Sequence, residues 1–185
     1  MNEPDWNLPS FPSESENLIE NGGFEDEFDG WEGYYGGDPY EADIVLVSDS
    51  YSGKYAIRCS RDSYGLRQVF GYGISPPLAK GTYYLGFKYK ADYPMDNVWI
   101  TFEYGGRAMG IITASNYNLE IVEAKRYGAS ELMYDRPVTD GWRETLCTFE
   151  LSGEKNGFVR VYANMPGLDY KYNYFDDVYL GVEPP

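Results

Sequence analysis

The chain contains no histidine. Without it the commonest general base and metal ligand is gone, so serine or cysteine triads and histidine-held zinc cannot be assembled. Any catalysis would rest on carboxylates, Tyr, Lys or Arg. Cysteine is almost absent too: Cys59 and Cys147 are the two present, which excludes a small disulfide-stapled scaffold and leaves room for a single bridge. Positive charge is scarce, with 15 Lys and Arg against 30 Asp and Glu for a net charge of −15. That field repels nucleic acid, phosphate-rich ligands and anionic lipid, so neither a nucleic-acid nor a membrane partner is expected. No apolar run approaches the roughly 18 residues of a membrane helix. The opening Met-Asn-Glu-Pro-Asp-Trp lacks the basic and apolar regions of a signal peptide. A soluble piece excised from a longer chain is expected.

Aromatic residues are abundant: 20 Tyr, 9 Phe and 4 Trp give more tyrosine than a core alone needs, so many must sit at surfaces. A length of 185 residues fits one domain with short tails. Residues 1–16 are rich in Pro, Ser and Glu around Trp6 and Phe11, and the chain closes on Glu183-Pro184-Pro185. Both ends read as linkers, which places the folded domain at 17–182. Within it, β-branched and aromatic segments recur between Gly, Pro, Asn, Asp and Ser clusters. The pattern predicts an all-β, two-sheet antiparallel sandwich of about nine strands, at 17–20, 42–48, 54–60, 66–70, 82–91, 97–104, 142–151, 157–164 and 174–181. Residues 105–137 are less legible, and 119–125 fits either a strand or a helical turn.

Successive side chains on a strand point to opposite faces. In 97–104 the apolar Val98, Ile100 and Phe102 face the core, which sends Trp99, Thr101 and Glu103 outward. In 157–164 Val159, Val161 and Ala163 turn inward, leaving Arg160, Tyr162 and Asn164 on the other side. A face that combines rings, a guanidinium, a carboxylate and an amide has the chemistry of sugar recognition, because apolar sugar faces stack on rings while polar groups bond the hydroxyls. Rings on an outer face also serve cross-strand packing, so parity alone leaves both uses open. The loop 30–40 crowds tyrosines among glycines that allow close approach to a partner. Trp31 and Trp142 are expected to pack rather than bind. In 66–70 the parity is ambiguous: Gln68 is a candidate for the exposed face, and Arg67 the alternative.

Several segments, in order, resemble the carbohydrate-binding modules of families 4, 9 and 22. They are Asn17-Leu18-Ile19-Glu20-Asn21-Gly22-Gly23-Phe24-Glu25 followed by Trp31, Ser52-Gly53-Lys54-Tyr55-Ala56-Ile57, Gly81-Thr82-Tyr83-Tyr84, and Tyr174-Phe175-Asp176-Asp177-Val178-Tyr179-Leu180. The resemblance implies a jelly roll. It also implies a structural calcium held by the Glu25 and Asp176 carboxylates, with carbonyls from Gly23 and from the turn Ser52 to Lys54; such a hard cation takes 6 to 8 oxygens. Asp176 shares its strand parity with Val178 and Leu180, so its carboxylate should point inward and need a cation or donors, whereas Asp177 points the other way. Ligand contacts carry over onto Tyr34 and Tyr35, Trp99 and Tyr162, with Gln68, Glu103, Arg160 and Asn164 as hydroxyl partners. In this topology the two cysteines need not be neighbours, which favours two buried thiols over a bridge.

The expected function is therefore a non-catalytic, secreted, monomeric module within a larger enzyme. It would hold a neutral β-linked plant polysaccharide, such as β-glucan, xyloglucan, xylan or mannan, and raise the effective concentration of an appended glycoside hydrolase at its substrate. Two other classes remain. A polysaccharide-degrading enzyme would use either two carboxylates across the cleft, where Glu103 is the one acid that parity places, or a histidine-free lyase chemistry built on Tyr and Arg. An adhesion module would offer its acidic surface to a basic protein.

Overall fold

The computed structural model describes residues 17–33, 44–60, 65–91, 97–115, 122–164 and 172–183. These hold twelve strands and no helix: β1 (Glu32–Gly33), β2 (Ile44–Val47), β3 (Ala56–Ser60), β4 (Leu66–Phe70), β5 (Gly81–Ala91), β6 (Asn97–Tyr104), β7 (Arg107–Ser115), β8 (Val122–Tyr127), β9 (Ser130–Pro137), β10 (Arg143–Leu151), β11 (Gly157–Asn164) and β12 (Tyr172–Gly181). They form two six-stranded sheets, ordered β1-β4-β11-β6-β7-β8 and β2-β3-β12-β5-β10-β9, with every pairing antiparallel. The expected all-β sandwich is present, with three more strands than anticipated.

Alternation builds the core. Strand β5 runs through the middle of the second sheet and buries Tyr83, Leu85, Phe87 and Tyr89, while the intervening Lys88 and Lys90 face the opposite side. Leu66, Ile100, Phe102, Ile111, Val159 and Val161 meet them from the first sheet, each fully buried. Phe149 joins the layers: it stacks on Tyr83 at 5.6 Å within its own sheet and on Phe102 of the facing sheet at 5.5 Å. Trp31 and Trp142 are buried, as anticipated. Cys59 and Cys147 are buried and form no disulfide. Their strands β3 and β10 are separated by β12 and β5, about 14 Å at ~4.8 Å per strand, twice the reach of a bridge. Burial pushes the Cys147 thiol up to about 12, so it keeps its proton at neutral pH.

Three expectations are corrected. Residues 17–20 are not a strand; the Asn17 side chain stands in for one, donating to the Val178 carbonyl (2.8 Å) and accepting from the Leu180 N–H (3.0 Å). Residues 105–137, less legible in the sequence, hold β7, β8 and β9, and the described part of the ambiguous 119–125 segment belongs to β8, residues 119–121 lying outside the described residues. Lastly, Asp176 does not share a face with Val178. A register shift at Asp177, whose φ is 46°, resets the alternation, so Asp176 pairs across from Lys88 while Phe175, Val178 and Leu180 enter the core.

Candidate functional site

The registers of the first sheet assemble its outer face. Tyr162 sits opposite Trp99, and Trp99 opposite Ile112, giving a ring-bearing row across β11, β6 and β7. Two residues along the strands, or about 7 Å, a polar row runs parallel to it. Glu32 pairs with Arg67, Arg67 with Arg160, and Arg160 with Thr101, so this row crosses the consecutive strands β1, β4, β11 and β6. At ~4.8 Å per strand it is about 14 Å long. Two glycines let the strands close up here. A Cβ on Gly65 would meet the Val161 carbonyl at 2.2 Å and the Tyr162 Cβ at 2.5 Å, and one on Gly110 would meet the Ile100 carbonyl at 2.0 Å. Only hydrogen fits, which keeps the surface flat beside Tyr162 and Thr101.

The side chains are tied to one another. Trp99 and Tyr162 stack with centroids 5.3 Å apart and planes 13° from parallel, and Tyr127 meets Trp99 edge-on at 4.7 Å. The Arg160 guanidinium lies 3.7 Å from the Tyr162 ring centroid, a cation–π contact, and its Nη1 reaches Glu103 Oε1 at 3.5 Å. Thr101 Oγ1 donates to the same Glu103 oxygen at 2.8 Å. Arg67 Nε donates to Glu32 Oε1 at 2.6 Å. The face is recessed: Thr101 is fully buried, and the Arg160 and Glu103 side chains are only 15% and 18% exposed. Trp99 Nε1 is closed to solvent and has no hydrogen-bond partner among the described residues.

The structure thus brings together Trp99, Glu103, Arg160 and Tyr162 as parity implied. Tyr34 and Tyr35 lie outside the described residues, and so does the side chain of Asn164 at the end of β11. Gln68 is corrected. It turns inward with Leu66 and Phe70, and its amide is engaged in accepting from the Glu20 N–H (2.8 Å) and donating to the Glu20 and Gly30 carbonyls (2.9 and 3.2 Å). Arg67 is the outward member of that pair. Glu32 and Tyr127 were missed, because β1 is two residues long and β8 lies in the segment without a clear period. Glu103 is therefore not the lone acid on this face, yet Glu32 and Glu103 are each ion-paired to an arginine.

The proposed metal ligands lie elsewhere, the Glu25 and Asp176 carboxylates each bonded to the 50–55 turn. Glu25 accepts from the backbone N–H of Lys54 (2.8 Å) and Tyr55 (3.0 Å), and Gly53 lies directly beneath its carboxylate. Asp176, fully buried, takes the N–H of Tyr51 (2.8 Å) and Ser52 (3.1 Å) on Oδ2 and that of Asp177 (2.8 Å) on Oδ1. Asp177 receives the Ser52 hydroxyl at 2.7 Å and the Lys88 ammonium at 3.3 Å, and Gly23 backs onto it. Burial, reinforced by the neighbouring Asp177 charge and resisted by the three N–H donors, raises the Asp176 carboxyl to about 7. Among the described residues no three acidic or thiol side chains converge as a ready-made ligand set. Separately, a groove of about 660 Å³ opens beside β4 between Leu18, Ile74, Pro76 and Val182; it touches the polar row at Glu32 and includes none of Trp99, Glu103, Arg160 or Tyr162.

No family model and no curated protein matches the chain. Among solved structures, TmCBM61 in complex with beta-1,4-galactotriose is 21% identical over 90% of this chain and 99% of that one, with a TM-score of 0.48. The C-terminal family 22 carbohydrate-binding module of Clostridium thermocellum Xyn10B is 13% identical over 92% of this chain and 97% of that one, with a TM-score of 0.52. A third, from work on CBM4 structure and function, is 14% identical over 89% and 99%, with a TM-score of 0.44. The likeness to the family 22 module is one of fold: the two chains share a β-sandwich over nearly their whole lengths.

Proposed function

We propose that this chain is a non-catalytic carbohydrate-binding module whose ligand is a neutral β-linked polysaccharide lying across the outer face of the first sheet. One observation carries the reading: a ring-bearing row and a polar row run side by side where they cross β11 and β6, recessed and about 7 Å apart. A pyranose is amphipathic in the same way, with apolar C–H faces and a rim of hydroxyls, so rings and charged donors on one surface complement it. The fold shared with a module known for ligand binding in a cleft supports the reading. The net charge of −15 favours neutral glucans, xylans, galactans or mannans over uronate-rich polymers. Each ring contributes about 0.5–1.5 kcal/mol, so binding is micromolar to millimolar, and its use is to hold a secreted, appended glycoside hydrolase near its substrate as a monomeric module. Affinity gels containing xylan, xyloglucan, mixed-linkage glucan, mannan, β-1,4-galactan or pectin test this. Retardation on at least one neutral polymer, without release of reducing ends, is expected; migration unchanged on all of them overturns it.

The reading includes a structural calcium at the junction of the 50–55 turn with β12. Glu25 and Asp176 would hold it, with the carbonyls of Gly23 and of the turn Ser52 to Lys54 completing the oxygen shell that calcium requires. The fit rests on burial: Asp176 is fully buried beside Asp177, which makes its ionised form costly, and a bound cation would relieve that cost. Bound there, the ion would join the first residues of the domain to its last strand. Protein stripped with EDTA should melt at a lower temperature and regain the difference on addition of calcium; an unchanged melting curve removes the site.

A further inference from the structure

The rings of the first sheet are engaged with one another before any ligand arrives. Tyr162 is contacted by both Trp99 and Arg160, and Trp99 by both Tyr162 and Tyr127. A sugar entering this face meets edges and polar heads as much as ring faces. Among them one group stands out. An indole N–H can only donate, and that of Trp99 has no acceptor among the described residues. Glu103, an acid of the same strand, is engaged by Thr101 and Arg160. Elsewhere in the same molecule the indole of Trp31 is answered in the ordinary way, donating to the Asn21 carbonyl at 3.1 Å. Buried donors without an acceptor are rare and destabilising. Among the described residues the other buried polar atoms in this condition belong to Arg58, Tyr134 and Asn173, all on the second sheet, which leaves Trp99 as the one such described group on the first.

We propose that Trp99 is a specificity-determining hydrogen-bond donor of the cleft, its indole N–H taking a hydroxyl or ring oxygen of the bound sugar. The inference rests on the reading of this face as a glycan site and adds the atom that discriminates. Its energetic logic differs from that of an exposed donor. A solvated N–H must give up a water to bind a ligand, so the exchange nearly cancels. The Trp99 N–H has already lost its water on folding, so a sugar oxygen fills an unmet demand. Tyr127 is the neighbour placed to yield: it lies edge-on to Trp99, is 38% exposed, and belongs to the edge strand β8. A ligand lacking an acceptor at this point gains nothing from the N–H and is disfavoured relative to one that has it.

Two readouts test the proposal. Indole resonances of ¹⁵N-labelled protein, with that of Trp99 assigned by its loss in Trp99→Phe, are followed during titration with β-1,4-galactotriose, xylohexaose, cellohexaose and mannohexaose. With an oligosaccharide that binds, the Trp99 N–H signal should move downfield and its exchange with water should slow. Trp99→Phe keeps a ring against Tyr162 and deletes the N–H. Its affinity should fall about tenfold, the worth of one well-made hydrogen bond, while its melting temperature holds or rises because an unanswered donor is gone. A purely structural tryptophan would give the reverse. Binding with an unmoved Trp99 indole, or a Trp99→Phe variant that binds as tightly as the parent, overturns the inference and leaves the glycan site standing. Failure of every oligosaccharide to bind the parent overturns both. Should Trp99→Phe not fold, any downfield indole signal that accompanies binding and is lost in a Trp99→Tyr variant decides the matter.

Discussion

On the outer face of the second sheet, Lys90 lies 4.7 Å from the Tyr174 ring and 5.3 Å from Trp142, Lys88 4.4 Å from Tyr51, and Arg136 4.5 Å from Tyr134. On the outer face of the first sheet, Arg160 lies 3.7 Å from Tyr162, beside Trp99. The ingredients are the same; the cover differs. Over the second sheet the 49–55 segment closes the surface: Asp49 takes the Lys90 ammonium, Tyr51 packs on Trp142, and the turn's N–H groups bind Asp176. Beneath it Lys88 and Glu144 are only 5% and 4% exposed, and Glu144 is clamped by Arg136. On the first sheet both members of each pair keep partial exposure, 25% and 37% for Arg67 and Glu32 and 15% and 18% for Arg160 and Glu103. Rings interleaved with cations therefore do not by themselves mark a binding surface.

Substitutions should separate the two layers. Lys88→Ala takes the shared ammonium from Asp177 and leaves Glu144 to Arg136 alone, so the loss should approach, from below, the cost of an unpaired buried charge, about 3–5 kcal/mol. Urea denaturation should register that loss while glycan affinity in the surviving folded protein stays unchanged. Tyr162→Ala inverts the pattern. Loss of a ring worth about 0.5–1.5 kcal/mol should weaken binding three- to tenfold in calorimetric titration, with a comparatively small change in melting temperature. If stability collapses and binding is untouched, the first sheet's face is a packed layer like the second's. The smallest effect is expected from Arg67→Ala: its bond to Glu32 joins partly exposed groups, and such pairs contribute about 0–1 kcal/mol. A two- to threefold drop in affinity would show that the polar row reaches as far as β4.

The legibility of these features in the sequence follows from how strictly each strand alternates. Strands β6 and β11 carry uninterrupted apolar positions at every second residue, so the outward Trp99, Glu103, Arg160 and Tyr162 could be named in advance. Strand β4 reads Leu-Arg-Gln-Val-Phe, in which a polar residue faces in and an apolar one faces out. Gln68 occupies a core position because its amide fastens the Glu20 and Gly30 backbone, a long-range demand that hydropathy does not express. The run 105–137 is opaque for another reason. β9 lies at the edge of its sheet with Leu132 and Met133 in solvent, and its register slips opposite Cys147, so two-residue periodicity is broken where it would be sought. Asp176 shows the same effect on a small scale: its burial was legible, but the bulge that turns it toward the 50–55 turn was not.

The side chain of Asn17 clips the start of the domain to β12, and the Leu18 N–H bonds the Leu180 carbonyl at 2.7 Å. Positions 17 and 180 are therefore neighbours. A pull applied through chain attached on either side would be borne by these few peripheral bonds, which open one after another like a zip, and the twelve-stranded body would hang slack beside the line of tension instead of being sheared by it.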